Sequence, residues 1–144
     1  MNIGEFWNIF EGAELVENRI ILKDDLHKAL QFALENYSFN LLKDITAVEK
    51  RDKSIDLTYH LYSVENDEDL LITINVWNEA ESVIDLFKSA IADENEIYDM
   101  FGIKFIGNEY LKRLYMPESW EGFPLRKDYI QSDERLAWDD DNNV

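Results

Sequence analysis

The sequence contains no cysteine among its 144 residues. Without thiols the chain can form no disulfide, and it can hold no zinc ion or iron–sulfur cluster through thiolates. Cysteine-based nucleophilic catalysis is excluded for the same reason. Histidine is nearly as scarce, and His27 and His60 lie far apart without ligand spacing around them. We therefore expect neither histidine to bind a metal or to act in catalysis.

Long apolar runs and basic residues are also scarce. The longest uninterrupted apolar stretches have only a few residues, far below the ~20 that span a bilayer. The N-terminal sequence MNIGEFWNIFEGAE has neither the basic nor the apolar region of a secretory signal. Fourteen basic residues against 31 acidic ones give a formal net charge of −17. Such a chain should repel nucleic acid and anionic membranes, so we expect membrane association only through partners.

The remaining composition is that of a globular protein. Hydrophobic residues make up 46% of the chain and aromatic residues 13%, and the length suffices for one independent core. The last third differs from the rest, because both prolines and three of the five glycines lie in residues 94–129. We divide the chain into a core domain at 1–116, an extended docking arm at 117–129 and a flexible acidic tail at 130–144.

Periodicity before residue 40 predicts two helices and a strand. A short amphipathic helix is predicted at residues 3–10, and the apolar run at 19–22 predicts a strand. A second helix begins at Asp24 or Asp25, either of which can cap it, and ends near Asn36. Its apolar positions recur at helical spacing: Leu26, Ala29, Leu30, Ala33 and Leu34.

Three strands with alternating apolar residues follow, at residues 39–48, 55–64 and 70–77, and short polar turns join them. One-sided alternation with short connections predicts an antiparallel meander. In the first strand one face is predicted to carry Leu42, Asp44, Thr46 and Val48, and the other Leu41, Lys43, Ile45 and Ala47.

The period becomes helical again over residues 82–101. Ser82 is the expected N-cap of this helix, and Gly102 is the glycine expected after its end. The helix and its predecessor would cover the sheet and complete an α+β domain. Glu94 interrupts the apolar stripe. A carboxylate there must be paired or lie where the core meets a neighbour, and we expect it to have a basic partner.

Three acidic residues, Glu94, Glu96 and Asp99, lie within about one and a half turns of this helix. They could form a general acid/base set or a site for a hard metal ion. Residues 94–129 contain seven acids and five bases, which favours ion pairing with Arg113, Arg126 or Lys127. We therefore predict structural ion pairs, and a free-standing enzyme using the three carboxylates is the alternative.

The run WEGFPLRKDY contains tryptophan, arginine and tyrosine, the usual anchors of protein contacts, together with a glycine and a proline. An extended arm also exposes backbone that can pair with a neighbouring chain. The predicted partner interface consists of Trp120, Gly122, Pro124, Leu125, Arg126, Lys127, Asp128 and Tyr129. In the alternative, Trp120, Phe123, Pro124 and Leu125 fold back on their own domain.

The most specific motifs are ENEIYDMFGIKFIG, which begins at Glu94, and LKRLYMPESWEGFPLRKDY, which begins at Leu111. DITAV and YHLYS are weaker motifs upstream. Through them the chain resembles the 30 kDa subunit, also called the C-type subunit, of the proton-pumping NADH:quinone oxidoreductase (complex I). A related subunit serves energy-converting membrane-bound nickel–iron hydrogenases. The chain has Ala92, Asn95 and Asn108 where that family commonly has tryptophan, arginine and histidine.

The resemblance implies a non-catalytic structural subunit of the hydrophilic arm with no cofactor of its own. Its fold would be a two-layer α+β sandwich with a mixed, mostly antiparallel sheet covered by helices. It would dock on the D-type, quinone-site subunit, or on a hydrogenase large subunit, beside iron–sulfur subunits. The complex, and not this chain alone, would couple electron transfer to proton translocation. The subunit would be peripheral, on the cytoplasmic side of the inner membrane.

Overall fold

The structure is a computed structural model that describes residues 10, 12–16, 19–112 and 122–126. The elements in chain order are β1 (Glu14–Val16), β2 (Arg19–Leu22), α1 (Leu26–Tyr37), β3 (Leu41–Glu49), β4 (Ile55–Ser63), β5 (Glu68–Val76), β6 (Glu79–Glu81), α2 (Ala90–Phe101) and β7 (Lys104–Ile106). The helix predicted at residues 3–10 lies outside the described residues except for Phe10, which is buried. None of the described helices is long and apolar enough to cross a membrane.

The strands of the described residues form a mixed sheet of five and a small sheet of two. The larger sheet has the order β1-β2-β5-β4-β3. Its strands β3, β4 and β5 are antiparallel neighbours, which confirms the predicted meander. The predicted strand at 19–22 is β2, and it pairs in parallel with β5. Strands β6 and β7 form the second, parallel sheet. A mixed sheet with two helices is the α+β architecture that the periodicity predicted.

The core lies on one face of the five-stranded sheet. Every second residue of β4 is fully buried, beginning with Ile55, Leu57 and Tyr59, while the residues between them are partly exposed. From α1 the buried residues are Leu26, Ala29, Leu30 and Ala33, four of the five positions that helical spacing predicted. Alternation places the apolar residues of β4 on one face of the strand, and helical spacing places those of α1 on one side of the helix. These two apolar surfaces are buried together.

The N-terminus of α1 differs from its prediction. Asp25 occupies the N-cap position, but its backbone is left-handed, with a φ of 61°, and its side chain makes no capping hydrogen bond. A capping side chain needs an extended backbone to reach the first free N–H groups, and Asp25 does not have one. The carboxylate of Asp24 instead accepts the N–H of Asp25 at 2.8 Å. The helix ends at Tyr37, one residue beyond the predicted stop.

Strand β3 does not keep the strict alternation that was predicted. Its register with β4 shifts between Leu42 and Asp44, so that Lys43 is the extra residue of a β-bulge. Leu42 before the bulge and Ile45 after it are both buried. The predicted assignment of these two residues to opposite faces is therefore wrong, because the bulge changes the parity of the strand.

The helix predicted at residues 82–101 is much shorter. It begins at Ala90, and Ser82 is not its N-cap; the backbone N–H of Ser82 donates to the carbonyl of Ile106 at 2.8 Å and extends the β6–β7 pairing. The turns between β6 and α2 bury Val83 and Phe87, which is why the apolar pattern continues through them. Gly102 ends the helix as predicted, with a φ of 80°.

We predict that Gly102→Ala destabilises the domain by about 2 kcal/mol, as measured by urea unfolding. Part of this cost is the left-handed backbone, and part is contact, because a Cβ at this position would lie 2.7 Å from a ring carbon of Phe123. In a Phe123→Ala background the cost should fall to about 1 kcal/mol, since only the backbone term remains. Equal costs in both backgrounds would contradict the packing of Phe123 on Gly102.

Candidate functional site

The carboxylate of Glu94 is fully buried and is held by three hydrogen bonds. Its Oε1 accepts the hydroxyl of Ser82 at 2.7 Å and the side-chain amide of Asn108 at 3.0 Å. Its Oε2 accepts the backbone N–H of Val83 at 2.9 Å. The site thus joins α2 to the segment after β6 and to the turn after β7.

The expected basic partner is not among these donors, all of which are uncharged. Burial raises the pKa of the Glu94 carboxyl above its ordinary value of 4.5, whereas the hydrogen bonds from Val83, Ser82 and Asn108 oppose that shift. The negative charge of Asp85 adds a smaller upward contribution to the pKa. A carboxyl whose pKa is raised by folding binds protons more readily in the folded than in the unfolded chain.

Two further polar groups are buried beside the core. Among the described residues, the Tyr59 hydroxyl and the Asn95 side-chain oxygen are buried without a hydrogen-bond partner. Burial raises the pKa of the Tyr59 phenol well above its ordinary value, and the charges of Glu94 and Glu81 raise it further. Tyr59 therefore keeps its proton and stays neutral at any ordinary pH.

The three acidic residues of α2 do not share one environment. Glu94 and Asp99 are fully buried, whereas Glu96 is exposed. The described residues contain no group of three or more histidine, aspartate or glutamate side chains arranged to hold a metal ion. His27 pairs with Asp85 and His60 pairs with Asp69, both at the surface. Of the predicted ion-pair partners, Arg113 and Lys127 lie outside the described residues, and Arg126 lies beside Glu49 of β3.

A second polar site surrounds the guanidinium of Arg126. Its Nε donates to the carbonyl of Phe101 at 2.8 Å, at the end of α2. Its Nη1 donates to the carbonyl of Lys53 at 2.8 Å and lies 3.5 Å from a carboxylate oxygen of Glu49, whose side chain is only 3% exposed. Its Nη2 donates to the carbonyl of Trp77 at 3.3 Å. One side chain thereby ties together α2, the β3–β4 turn and the end of β5.

The described part of the predicted arm packs on its own domain. The backbone N–H of Leu125 donates to the carbonyl of Met100 at 2.9 Å, and the Phe123 ring lies 6.2 Å from that of Tyr98. For residues 122–126 these contacts fit the alternative in which the segment folds back. The other predicted interface residues, Trp120, Lys127, Asp128 and Tyr129, lie outside the described residues.

Sequence reasoning missed the partners at both sites. Glu94 was identified by its place on an apolar stripe, but nothing in the sequence pointed to Ser82 or Asn108 as its donors. Glu49 follows Val48 on β3, and its near-complete burial was not visible in the strand pattern. These pairs come from segments that are distant in sequence, and spacing rules describe only neighbours along one element.

The fold is an α+β domain in which the side chains of Glu94 and Arg126 hydrogen-bond to segments that are distant in sequence. A model of the family described as respiratory-chain NADH dehydrogenase, 30 kDa subunit, matches residues 20–135. The chain belongs to this family.

Curated relatives agree with this family. The NADH-quinone oxidoreductase C-type subunit of Moorella thermoacetica is 34% identical over 114 residues, which cover 76% of this chain and 77% of the relative. The chain is also 31% and 34% identical to the NADH-quinone oxidoreductase subunits of Phocaeicola vulgatus and Acidiphilium cryptum that carry the joint designation C/D. It spans 22% and 21% of the length of these two longer relatives.

We predict that Glu94→Ala lowers the free energy of unfolding by about 3 kcal/mol, because three buried donors lose their acceptor. The matched control is Glu96→Ala on the exposed side of the same helix, which should change stability by no more than about 0.5 kcal/mol. Equal effects of the two substitutions would contradict the buried hydrogen-bond site.

The difference in unfolding free energy between wild type and Glu94→Ala should change with pH in one direction. Since folding raises the pKa of Glu94, its contribution to stability falls as the pH rises from 4.5 through the folded-state pKa. The stability gap between wild type and Glu94→Ala should therefore narrow as the pH is raised above 4.5. Urea unfolding at several pH values measures the gap, and a gap that widens with pH would contradict the prediction.

We predict that Arg126→Lys destabilises the domain by about 2 kcal/mol despite keeping the charge. A lysine ammonium cannot reach the carbonyls of Phe101, Lys53 and Trp77 together, whereas the planar guanidinium does. Lys104→Arg, an exchange of the same two residue types at an exposed position, is the control and should be neutral. Chemical unfolding that leaves Arg126→Lys as stable as wild type would show that the positive charge alone suffices.

Proposed function

We propose that this chain is a non-catalytic structural subunit of the hydrophilic arm of a respiratory NADH:quinone oxidoreductase. The observation that supports it most strongly is membership of the 30 kDa subunit family over residues 20–135. The relatives described above carry the designation C or C/D among NADH-quinone oxidoreductase subunits. The lack of cysteine supports the absence of a thiolate-held cluster in this chain. Electron transfer and proton translocation would then belong to the complex.

The proposed partner is the D-type, quinone-site subunit, with iron–sulfur subunits as neighbours. Relatives whose names join C and D support this pairing, because the two designations there belong to one protein. A chain with this role would be peripheral, on the cytoplasmic side of the inner membrane, and would reach the membrane only through the complex. We further propose that the helices form one layer on the buried face of the sheet, giving a two-layer sandwich.

The proposed docking surface is the arm at residues 117–129. Leu125 supports it, because 55% of its surface is exposed although its backbone is fixed to α2. Arg126 would position this part of the arm through its internal hydrogen bonds and would not itself be the main contact. The other contact residues are those of the predicted interface: Trp120, Gly122, Pro124, Lys127, Asp128 and Tyr129.

We predict that the tagged chain, expressed in its native host, co-purifies from native membranes with a D-type subunit and iron–sulfur subunits. Leu125→Ser should lower recovery of the D-type subunit about tenfold, because it removes an exposed apolar anchor. The melting temperature should stay within about 2 °C, since only surface is altered. Val64→Ser, which changes another exposed apolar residue far along the sheet, is the control and should leave recovery unchanged.

The identity of the recovered proteins decides between the candidate complexes. NADH-binding and quinone-site subunits support the proposal. Recovery of nickel–iron hydrogenase subunits would contradict it and would support the alternative, in which the chain is the equivalent scaffold subunit of a membrane-bound hydrogenase. A chain recovered alone would contradict both versions.

A further inference from the structure

We propose that the turn between β3 and β4, together with Val48, Trp77 and Leu125, forms a second part of the partner interface and binds an acidic segment of a neighbouring subunit. We call it the turn surface, and its residues are Val48, Lys50, Arg51, Lys53, Trp77 and Leu125. The inference rests on the proposed function, because it assumes that the chain docks on other subunits.

Arg126 brings the parts of the turn surface together. Its guanidinium binds the carbonyls of Lys53 and Trp77 and lies beside Glu49, the neighbour of Val48. Leu125 precedes Arg126 and is itself fixed to the end of α2. Four segments that are separate in sequence therefore meet at one corner of the domain, next to the arm of the proposed interface.

Three large apolar side chains are exposed at this corner. The exposed fractions are 61% for Val48, 56% for Trp77 and 55% for Leu125. Val48 lies opposite Asp56 and Asp56 opposite Asn75 in the sheet register, so Val48 lies in the same row of the sheet as Asn75, two residues before Trp77. Val48 and Trp77 therefore share one face of the sheet at this end, and exposed apolar groups with a tryptophan among them are typical of a protein contact.

The turn itself is basic in a strongly acidic chain. Residues 50–53 contain three of the fourteen basic residues, and the chain as a whole has a charge of −17. Lys50, Arg51 and Lys53 are all exposed. Neither Lys50 nor Arg51 forms an ion pair with any residue that the structure describes.

The turn has three exposed bases against one exposed acid, Asp52, whose carboxylate is hydrogen-bonded within the turn. Asp52 accepts hydrogen bonds from the backbone N–H and the hydroxyl of Ser54, and these bonds lower the pKa of its carboxyl. Glu49 is covered and lies against Arg126. The charge that the turn presents outward is therefore mainly positive.

This chemistry favours a short acidic protein segment with apolar side chains. Its carboxylates would meet Lys50 and Arg51, and its apolar groups would cover Val48, Trp77 and Leu125. An extended polyanion, such as a nucleic acid or an anionic membrane, would also face the remaining acidic surface and be repelled. A short partner segment, in contrast, can contact this corner without facing the acidic surface.

The test compares two double charge reversals in the tagged chain, each purified from native membranes. Lys50→Glu/Arg51→Glu should lower recovery of the neighbouring subunits at least about tenfold, because like charges then oppose each other. Lys28→Glu/Lys88→Glu changes the net charge by the same amount at exposed sites elsewhere and should leave recovery near wild type. Trp77→Ala should also lower recovery, since it removes the apolar anchor.

A photo-crosslinking residue in place of Arg51 then identifies what covers the turn surface in the assembled complex. Crosslinks to an aspartate- or glutamate-rich segment of another subunit support the inference. Crosslinks to residues 130–144 of the same chain, to lipid, or to nothing overturn it.

The two proposals fail in different ways. If wild type co-purifies with the complex and the Lys50/Arg51 reversal does so equally well, the inference is wrong and the proposed function stands. If wild type itself recovers no other protein of the complex, both are overturned.

Discussion

A carboxylate that is fully removed from water must find donors inside the protein, and this requirement at Glu94 fixes the second half of the domain. Its donors come from Ser82 and Val83 before α2 and from Asn108 after β7. The loop that enters α2 and the turn that follows β7 must therefore both close on the helix. The pairing of β6 with β7 lies between these two contacts and is held in place by them. Leaving the buried carboxylate without donors would be strongly destabilising.

The guanidinium of Arg126, near the surface, also joins segments that are distant in sequence, as the Glu94 carboxylate does in the interior. It spans the end of α2, the end of β5 and the β3–β4 turn, so residues 122–126 of the arm are fixed to the domain. A docking segment that is partly ordered before it binds loses less conformational entropy on binding. The domain thus combines a fixed segment of the arm, residues 122–126, with a corner that is basic and apolar. This corner differs from the rest of the surface, which is acidic and repels polyanions.

Periodicity predicted the elements whose burial follows a simple repeat: the strands of the meander, helix α1 and the stop at Gly102. The failures have physical causes. The bulge at Lys43 changes the parity of β3 without any change in composition. Val83 and Phe87 keep helical spacing although they lie in turns, so α2 was predicted to start too early. The hydrogen-bond donors of Glu94, all of them uncharged, come from segments that meet only after folding. The docking arm was predicted at residues 117–129 from residue types that occur in both interfaces and cores. Those types alone could not show that residues 122–126 pack on their own domain.

The parallel pairing of β2 with β5 has a consequence for how the chain is made. Arg19 lies beside Leu71, whereas β3, β4 and β5 are joined by short turns and can pair as soon as they are synthesised. During translation β2 must wait until about fifty further residues have left the ribosome before its partner exists. Throughout that interval the apolar residues Ile20 and Leu22 have no sheet to cover them. Strand β2 can therefore pair with β5 only after β3 and β4 have been made, although it precedes both in the chain, and this interval is the period in which a chaperone would be of most use.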